Sequence, residues 1–405
     1  MAAIAPFRAL RPTPDSAARV AAVPYDVVNA QEAHALANGN PLSFLHVSRA
    51  EIDLPPNTDP HSDAVYGKAV ENFAALRSKA PLVAEDTPSL YVYRLKMGNH
   101  VQTGIAGTFS IDEYDRGVIK KHEHTRRDKE DDRTRHMIDL RAQTGPVFLT
   151  YRASPGVDRV VSHVTGQPPL FDFTAPDGVQ HTIWRVSGAN VQELVAAFDS
   201  IPLLYIADGH HRAASAARAR QQLRGSNGAR GEWDTVLAVA FPDNQTQVLA
   251  YNRVVKDLGS HSPQSLLAKL REKFALKEGP ATPAKKGDVA MFLDGAWHTI
   301  VLGEAPRTLA PADRLDVSRL QQSALTPLLG IGDVRTDKRI DFVGGARGTS
   351  ELEKLVRSGT FAVAFSLYPV SVDDLMQVCD AGGIMPPKST WFEPKLRDGL
   401  LSHLI

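Results

Sequence analysis

The densest concentration of reactive side chains in this 405-residue sequence is Asp208-Gly209-His210-His211-Arg212, inside the longer stretch Tyr205 to Ala216. A short apolar run, Ile201 to Ile206, precedes it and suits a buried strand; an alanine-rich run of good helix formers, Ala213 to Arg224, follows. Asp208-Gly209 therefore ends the strand with a residue tolerant of positive φ. His210, His211 and Arg212 fall on the first helical turn, where backbone N–H groups have no helical acceptor. A helix start of this kind binds anions. Arg212 adds a bidentate phosphate donor and Asp208 a carboxylate for a metal ion, so the implied chemistry is the holding of a phosphate or pyrophosphate group. The plainer alternative makes Asp208 only an N-cap and the histidines solvated polar groups.

Two further stretches carry chemistry. In Val118-Ile119-Lys120-Lys121-His122-Glu123-His124-Thr125 a strand end acquires polar groups, and Glu123, facing a cleft, could accept a proton from a substrate hydroxyl. His122 and His124 would share one face of an extended segment as part of a zinc site, but no third ligand stands at metal-binding spacing. The dense charge of Arg126 to Arg135 reads as a solvated helix face, its early acidic residues suiting the helix dipole. Near the C-terminus, Lys388-Ser389-Thr390 follows Pro386-Pro387 and sets an ammonium beside two hydroxyls, the donors a phosphate needs. It resembles the end of a P-loop, yet the prolines lack the N–H groups that would cradle phosphate. The structural alternative is a tail strapped down by Trp391 and Phe392.

The elements that must position these groups alternate between strand and helix. Gln31 to Asn38 reads as a helix, Ser43 to Val47 as a strand, Leu54 to His61 as a proline-rich loop and Asp63 to Lys79 as an amphipathic helix. Ser89 to Met97 and Val101 to Phe109 should form a hairpin across Gly98-Asn99. Pro146 to Tyr151 and Thr182 to Val186 have strand composition, and Asn190 to Phe198 is helical. Beyond the central motif, Asp234 to Phe241 and Gln247 to Val255 read as strands of a further hairpin. Mixed helices and a strand follow from about Ser260. The expected fold class is mixed α/β, divided as 1–100, 101–260 and 261–405.

Composition narrows the function classes. Lysine plus arginine equals aspartate plus glutamate at 46 each, so no global basic footprint argues for nucleic acid. The single cysteine, Cys379, excludes an internal disulfide framework and any multi-thiolate metal site within the chain. No apolar run is long enough to span a bilayer, and the N-terminus lacks a signal-peptide pattern; the expectation is a cytoplasmic protein without membrane partners.

Asp208-Gly209-His210-His211-Arg212 followed by Ala216 resembles the phosphate-binding helix start of the ParB/sulfiredoxin superfamily, and most closely its free-serine kinases, which also have an upstream His-Glu pair like His122-Glu123. The whole chain resembles the large bacterial domain-of-unknown-function 1015 family. It does so through Pro24-Tyr25-Asp26-Val27, Asn40 to Val47, the two core motifs, Tyr251-Asn252-Arg253 and Pro387 to Phe392. These resemblances imply a ParB/sulfiredoxin-like core with mixed α/β additions on both sides. They imply phosphorylation of a small hydroxyl compound, free L-serine first, with Glu123 as general base and Asp208 holding magnesium (Mg2+). Gly209, His210, His211 and Arg212 would hold phosphate, with His211 also near the catalytic step. Lys388, Ser389 and Thr390 would be further phosphate donors, and His122, Thr125, Asn252 and Arg253 substrate contacts. Pyrophosphate is the expected phosphoryl donor, with ATP or ADP as the alternative. Two rival classes stay open: a nucleotide switch or DNA-binding regulator without turnover, and a phosphohydrolase in which Glu123 activates water.

Overall fold

Apolar runs separated by turn residues build one large sheet. In chain order its strands are β1 (Ile4–Ala5), β2 (Leu90–Met97), β3 (His100–Ser110), β4 (Ile119–Lys120), β5 (Val147–Tyr151), β6 (Phe171–Thr174), β7 (Gln180–Val186), β8 (Leu204–Asp208) and β9 (Thr235–Pro242). The computed structural model describes residues 2–79, 82–225 and 228–405. Laterally the strands run β4-β8-β5-β9-β3-β2-β7-β6, with β1 paired to β3. β2 and β3 form the expected hairpin, whose turn places Gly98 at φ 58°. The sheet is mixed: β8 is parallel to β4 and antiparallel to β5, and β5 is parallel to β9. Central strands are covered on both faces. Val236 to Phe241 of β9 are all buried, which is why that strand reads as a continuous apolar run instead of an alternation.

In chain order the longer helices of this unit are α1 (Asp63–Lys79), α2 (Arg127–Leu140), α3 (Pro155–Thr165), α4 (Ala189–Asp199) and α5 (His210–Arg224); α3, α4 and α5 pack on the large sheet, α2 packs on α5, and α1 packs on α2. Val157, Val160 and Val164 of α3 and Leu194 and Phe198 of α4 enter one core with Ile206 and Ala238. A second core gathers Phe44, Val47, Val65 and Phe73. The chain's last strand, Ser402–Leu404, pairs with Ala9–Pro12 and Ala142–Gln143 in a small four-stranded sheet.

By its internal contacts the chain forms two units, Met1–Thr246 with Pro394–Ile405, and Gln247–Glu393. The divisions expected from sequence fell after residues 100 and 260, the first of them inside the β2–β3 hairpin, at the first residue of β3. In the second unit, β10 (Tyr251–Val255), β11 (Ala275–Glu278), β12 (Asp288–Leu293), β13 (Ala296–Val301), β14 (Ile340–Gly344) and β15 (Val363–Leu367) form a six-stranded sheet ordered β11-β13-β12-β15-β10-β14. Both units are mixed α/β. Among the described residues no helix is long and apolar enough to cross a membrane.

Two local expectations are corrected. Ser43 to Val47 is no strand: Leu45–Ser48 is a short helix. The Leu45 N–H donates to Ser43 Oγ at 3.3 Å and the Ser43 N–H to the Asn40 carbonyl at 3.0 Å, so local turn bonds compete with extension despite strand-like composition. Nor do Asp234 to Phe241 and Gln247 to Val255 form a hairpin. β9 pairs with β3 and β5, whereas β10 pairs with β14 and β15 in the other sheet. Two apolar strands close in sequence announce that each is buried, not what each pairs with.

Candidate functional site: an open helix start beside a paired carboxylate

β8 contributes four consecutive buried residues, Leu204 to Ala207, and then breaks off. Its register against β5 slips between Ile206 and Asp208, and Gly209 turns the chain with φ 92° and ψ 30°. Glycine is required twice over: that φ is left-handed, and a Cβ would lie 3.0 Å from Arg212 Cζ and Nε. As N-cap of α5, Gly209 has no side chain to cover the helix end. The first intrahelical bond runs from the Ala213 N–H to the Gly209 carbonyl at 3.0 Å, so the N–H groups of His210, His211 and Arg212 have no helical acceptor. The positive end of the helix dipole adds to their attraction for an anion.

Asp208 is held by two cations on one oxygen: Arg212 Nη2 lies 3.2 Å and Lys395 Nζ 3.4 Å from Oδ2. Burial alone would raise this carboxyl's pKa, but Lys395 and Arg212 outweigh it and hold the group well below the usual carboxylate range. Arg212 is itself buried. Its Nη1 donates to the Pro146 carbonyl, and its Nε is buried without a hydrogen-bond partner. The guanidinium is thus fixed behind Asp208, which makes it a local source of positive charge more than the outward bidentate fork expected from sequence. Both cations sit on Oδ2, so Oδ1 is the one oxygen Asp208 would offer a magnesium ion.

The segment after β4 is fastened to the start of α5 by the two adjacent histidines. The His122 N–H donates to His210 Nε2 at 3.3 Å, and the Arg126 N–H donates to His211 Nε2 at 3.1 Å. An Nε2 that accepts must belong to a neutral ring protonated at Nδ1. Burial, reinforced by the neighbouring His122, pushes His210 well below its ordinary value; burial likewise takes His122 down to about 4. The two rings meet edge to face, 4.3 Å between centroids. The His210 and His211 imidazoles therefore act as clamps, leaving their own backbone N–H groups for an anion. Thr125 Oγ1 is bonded to Glu130 Oε1 and helps shape the start of α2.

The clamps bring Glu123 to the helix end. One ligand atom each from His122, Glu123 and His210 lie within 4.8 Å of one another, both histidines buried and Glu123 half-buried. His124 is exposed and outside this group, so the His122/His124 zinc pair is replaced by a His-Glu-His cluster. Zinc fits it poorly, because His210 Nε2 already accepts a backbone N–H.

A family model described as "Protein of unknown function (DUF1015)" matches residues 4–318, most of the chain. The chain belongs to this family. No curated protein matches the DUF1015 chain in sequence. Among solved structures it is similar to a free serine kinase in complex with AMP, at 14% identity and TM-score 0.36, covering 73% of this chain and 92% of that one. It is also similar to a conserved hypothetical protein from Pyrococcus furiosus, at 15% identity and TM-score 0.35, covering 73% and 94%. A third is SbnI with C-terminal truncation from Staphylococcus aureus, at 11% identity and TM-score 0.37, covering 72% and 85%.

The remaining expected residues of this DUF1015 protein lie in its second unit. Asn252 is buried and accepts the Leu367 N–H at 3.1 Å; Arg253 is buried, bonded to the Tyr251 carbonyl and, at 3.4 Å, to that of Pro387. Burial lowers the Arg253 pKa to about 9. Ser389 Oγ donates to the Pro386 carbonyl at 2.5 Å, and Lys388, at φ 57°, stands 5.5 Å over the Tyr251 ring. Thr390 leads into Trp391–Phe392, which pair with Val248–Leu249, so the expected strap is formed within this unit. Sequence reasoning missed Lys395 as a partner of Asp208. It lies just beyond Trp391-Phe392, but only the return of Pro394–Ile405 to the first unit joins it to a residue nearly half the chain away.

Proposed function

We propose that this protein transfers a phosphoryl group to the hydroxyl of a small acceptor, with free L-serine giving O-phosphoserine as the leading case. The observation that carries this reading is the placement of Glu123, a carboxylate able to take a proton, within 4.8 Å of the His210 ring that opens an uncapped helix start. Phosphoryl transfer asks for little else: an in-line arrangement, donors for the phosphoryl oxygens and neutralisation of charge. The N–H groups of His210, His211 and Arg212 would hold the phosphoryl oxygens while Arg212 and Lys395 supply positive charge from behind Asp208. Glu123 takes the hydroxyl proton as the acceptor oxygen bonds to phosphorus, and the bond to the leaving phosphate breaks. Magnesium held at Asp208 would supply further charge neutralisation. Pyrophosphate is the proposed donor, because the recognised groups are N–H and cationic donors suited to phosphates alone.

Incubation with L-serine and magnesium, and separately with pyrophosphate, ADP or ATP, followed by mass spectrometry for phosphoserine, tests this. We expect product with pyrophosphate and its loss in Glu123→Gln. Phosphoserine made at the wild-type rate by Glu123→Gln would remove Glu123 as base. Release of phosphate without a phosphorylated acceptor favours the phosphohydrolase, and salt-sensitive duplex binding without turnover favours the regulator.

A further inference from the structure

The charge run Arg126 to Arg135, expected to be a solvated helix face, does not spend all of that face on water. In α2 the residues Lys129, Asp132, Arg133 and His136 recur at i, i+3, i+4 and i+7, the spacing of one helical stripe, and all four line a cavity of about 420 Å3 in the first unit. The opposite wall comes from Tyr25 and from Val47 to Glu51, beside two of the stretches that mark the family. We propose that this cavity is an α-amino-acid pocket, recognising carboxylate and ammonium together, and that it seats the acceptor of the reaction proposed above.

The charges decide the ligand class. Arg133 Nε donates to Asp132 Oδ2 at 2.8 Å and Tyr66 Oη to Asp132 Oδ1 at 2.7 Å. Arg49 Nε lies 2.9 Å from Glu51 Oε1 but off the N–H direction, so it is buried without a hydrogen-bond acceptor. Lys129 forms no ion pair among the described residues and is half-buried at the cavity wall. Three cations thus face two carboxylates: Arg133 pairs with Asp132 and Arg49 with Glu51, and Lys129 is the cation outside these pairs. A carboxylate satisfies Lys129. A simple anion would also sit against Glu51 and Asp132, and a simple amine against Lys129; a zwitterion meets both signs. The volume is within the range of small-molecule sites and exceeds the needs of serine, so larger polar amino acids also fit.

The pocket is tied to the phosphate turn by the same elements. α2 starts just after Glu123, and its N-cap residue, Arg126, is held by His211 of the α5 start. The charges of both Arg133, in the cavity wall, and Arg212, at the turn, act on the Tyr25 phenol. This inference rests on the kinase reading for the word acceptor, but binding can be measured without a donor.

Isothermal titration calorimetry on the full chain would compare L-serine, L-lactate, ethanolamine and inorganic phosphate. We expect L-serine to bind, and lactate and ethanolamine, each lacking one charge, to bind at least about ten-fold more weakly. Lys129→Met and Glu51→Gln, checked for folding by circular dichroism, should each weaken serine by a similar factor, and Asp208→Asn should leave serine binding in place. Serine affinity unchanged in both pocket variants overturns the proposal. So does the absence of serine binding at millimolar concentrations, or phosphate binding that Lys129→Met abolishes while serine is unaffected. The two readings fail separately: serine bound through Lys129 and Glu51 with no phosphoserine formed under any donor sinks the kinase alone. Phosphoserine formed with an unaltered KM for serine in both variants sinks the pocket alone.

Discussion

Replacing Gly209 by alanine tests whether the left-handed cap organises the phosphate turn. At φ 92° a side chain incurs roughly 1–2 kcal/mol of backbone strain. The new Cβ would also stand 3.0 Å from Arg212 Cζ and Nε. Arg212 has little room to yield, because one terminal nitrogen is bonded to the Pro146 carbonyl and the other to Asp208. Forcing that contact adds about 1 kcal/mol or more. The stiffer unfolded chain offsets about 0.4–1 kcal/mol of this. The net loss is about 1–3 kcal/mol, on the order of 5 °C in melting temperature for a unit of this size. Gly39→Ala is the matched control, since its φ of 72° carries a similar backbone strain but nothing lies within 4 Å of the added Cβ. Scanning calorimetry should place Gly209→Ala below Gly39→Ala. Titration with inorganic pyrophosphate should show a loss of about ten-fold or more in Gly209→Ala, because displacing Arg212 disturbs Asp208 and the helix-end N–H groups together. A Gly209→Ala protein that melts no lower than Gly39→Ala and binds pyrophosphate as wild type does would refute the reasoning.

Two pH effects follow from the buried groups. The folded-state pKa of Asp208 is depressed, so its contribution to stability is present above the unfolded carboxylate value and lost as pH falls through the folded one. Lys395→Met removes one of the two cations responsible, and in metal-free buffer the acid-unfolding midpoint should move to higher pH; an unchanged midpoint would leave Lys395 without that role. His122 and His181 are buried neutral, with pKa values lowered by burial to about 4 and about 3. Because the unfolded chain protonates these rings first, stability should be full above about pH 6.5 and decline below it, by up to about 1.4 kcal/mol per pH unit for each ring. Chemical denaturation between pH 5 and 6.5 reads the sum of these rings with His136 and His210, likewise lowered by burial. Against them stands Asp398, whose carboxyl burial raises to about 7 and which opposes one ring's slope; a flat profile over that range would contradict the decline.

The strand, the glycine and the helix of the Asp208 to Arg212 turn were legible in the sequence because each rests on local physics. An apolar run buries, glycine alone accepts the left-handed turn, and alanine-rich sequence propagates a helix. The chemistry of the open helix end was legible for the same reason, since its orphan N–H groups belong to any helix so begun. The mixed α/β class followed from the alternation of such elements. Partnership was not legible. Nothing local tells that β9 and β10 belong to different sheets, that His210 and His211 accept backbone N–H groups from residues 122 and 126, or that Arg212 is committed to Pro146 and Asp208. The charged stripe of α2 has the composition of a solvated face, and only the wall from Tyr25 and Arg49 opposite it makes a pocket. Lys395 reaches Asp208 because the chain's last residues return to the first unit. Propensity and capping act over a few residues and are written where they act, whereas charge pairing and strand order depend on which distant segments the folded chain brings together.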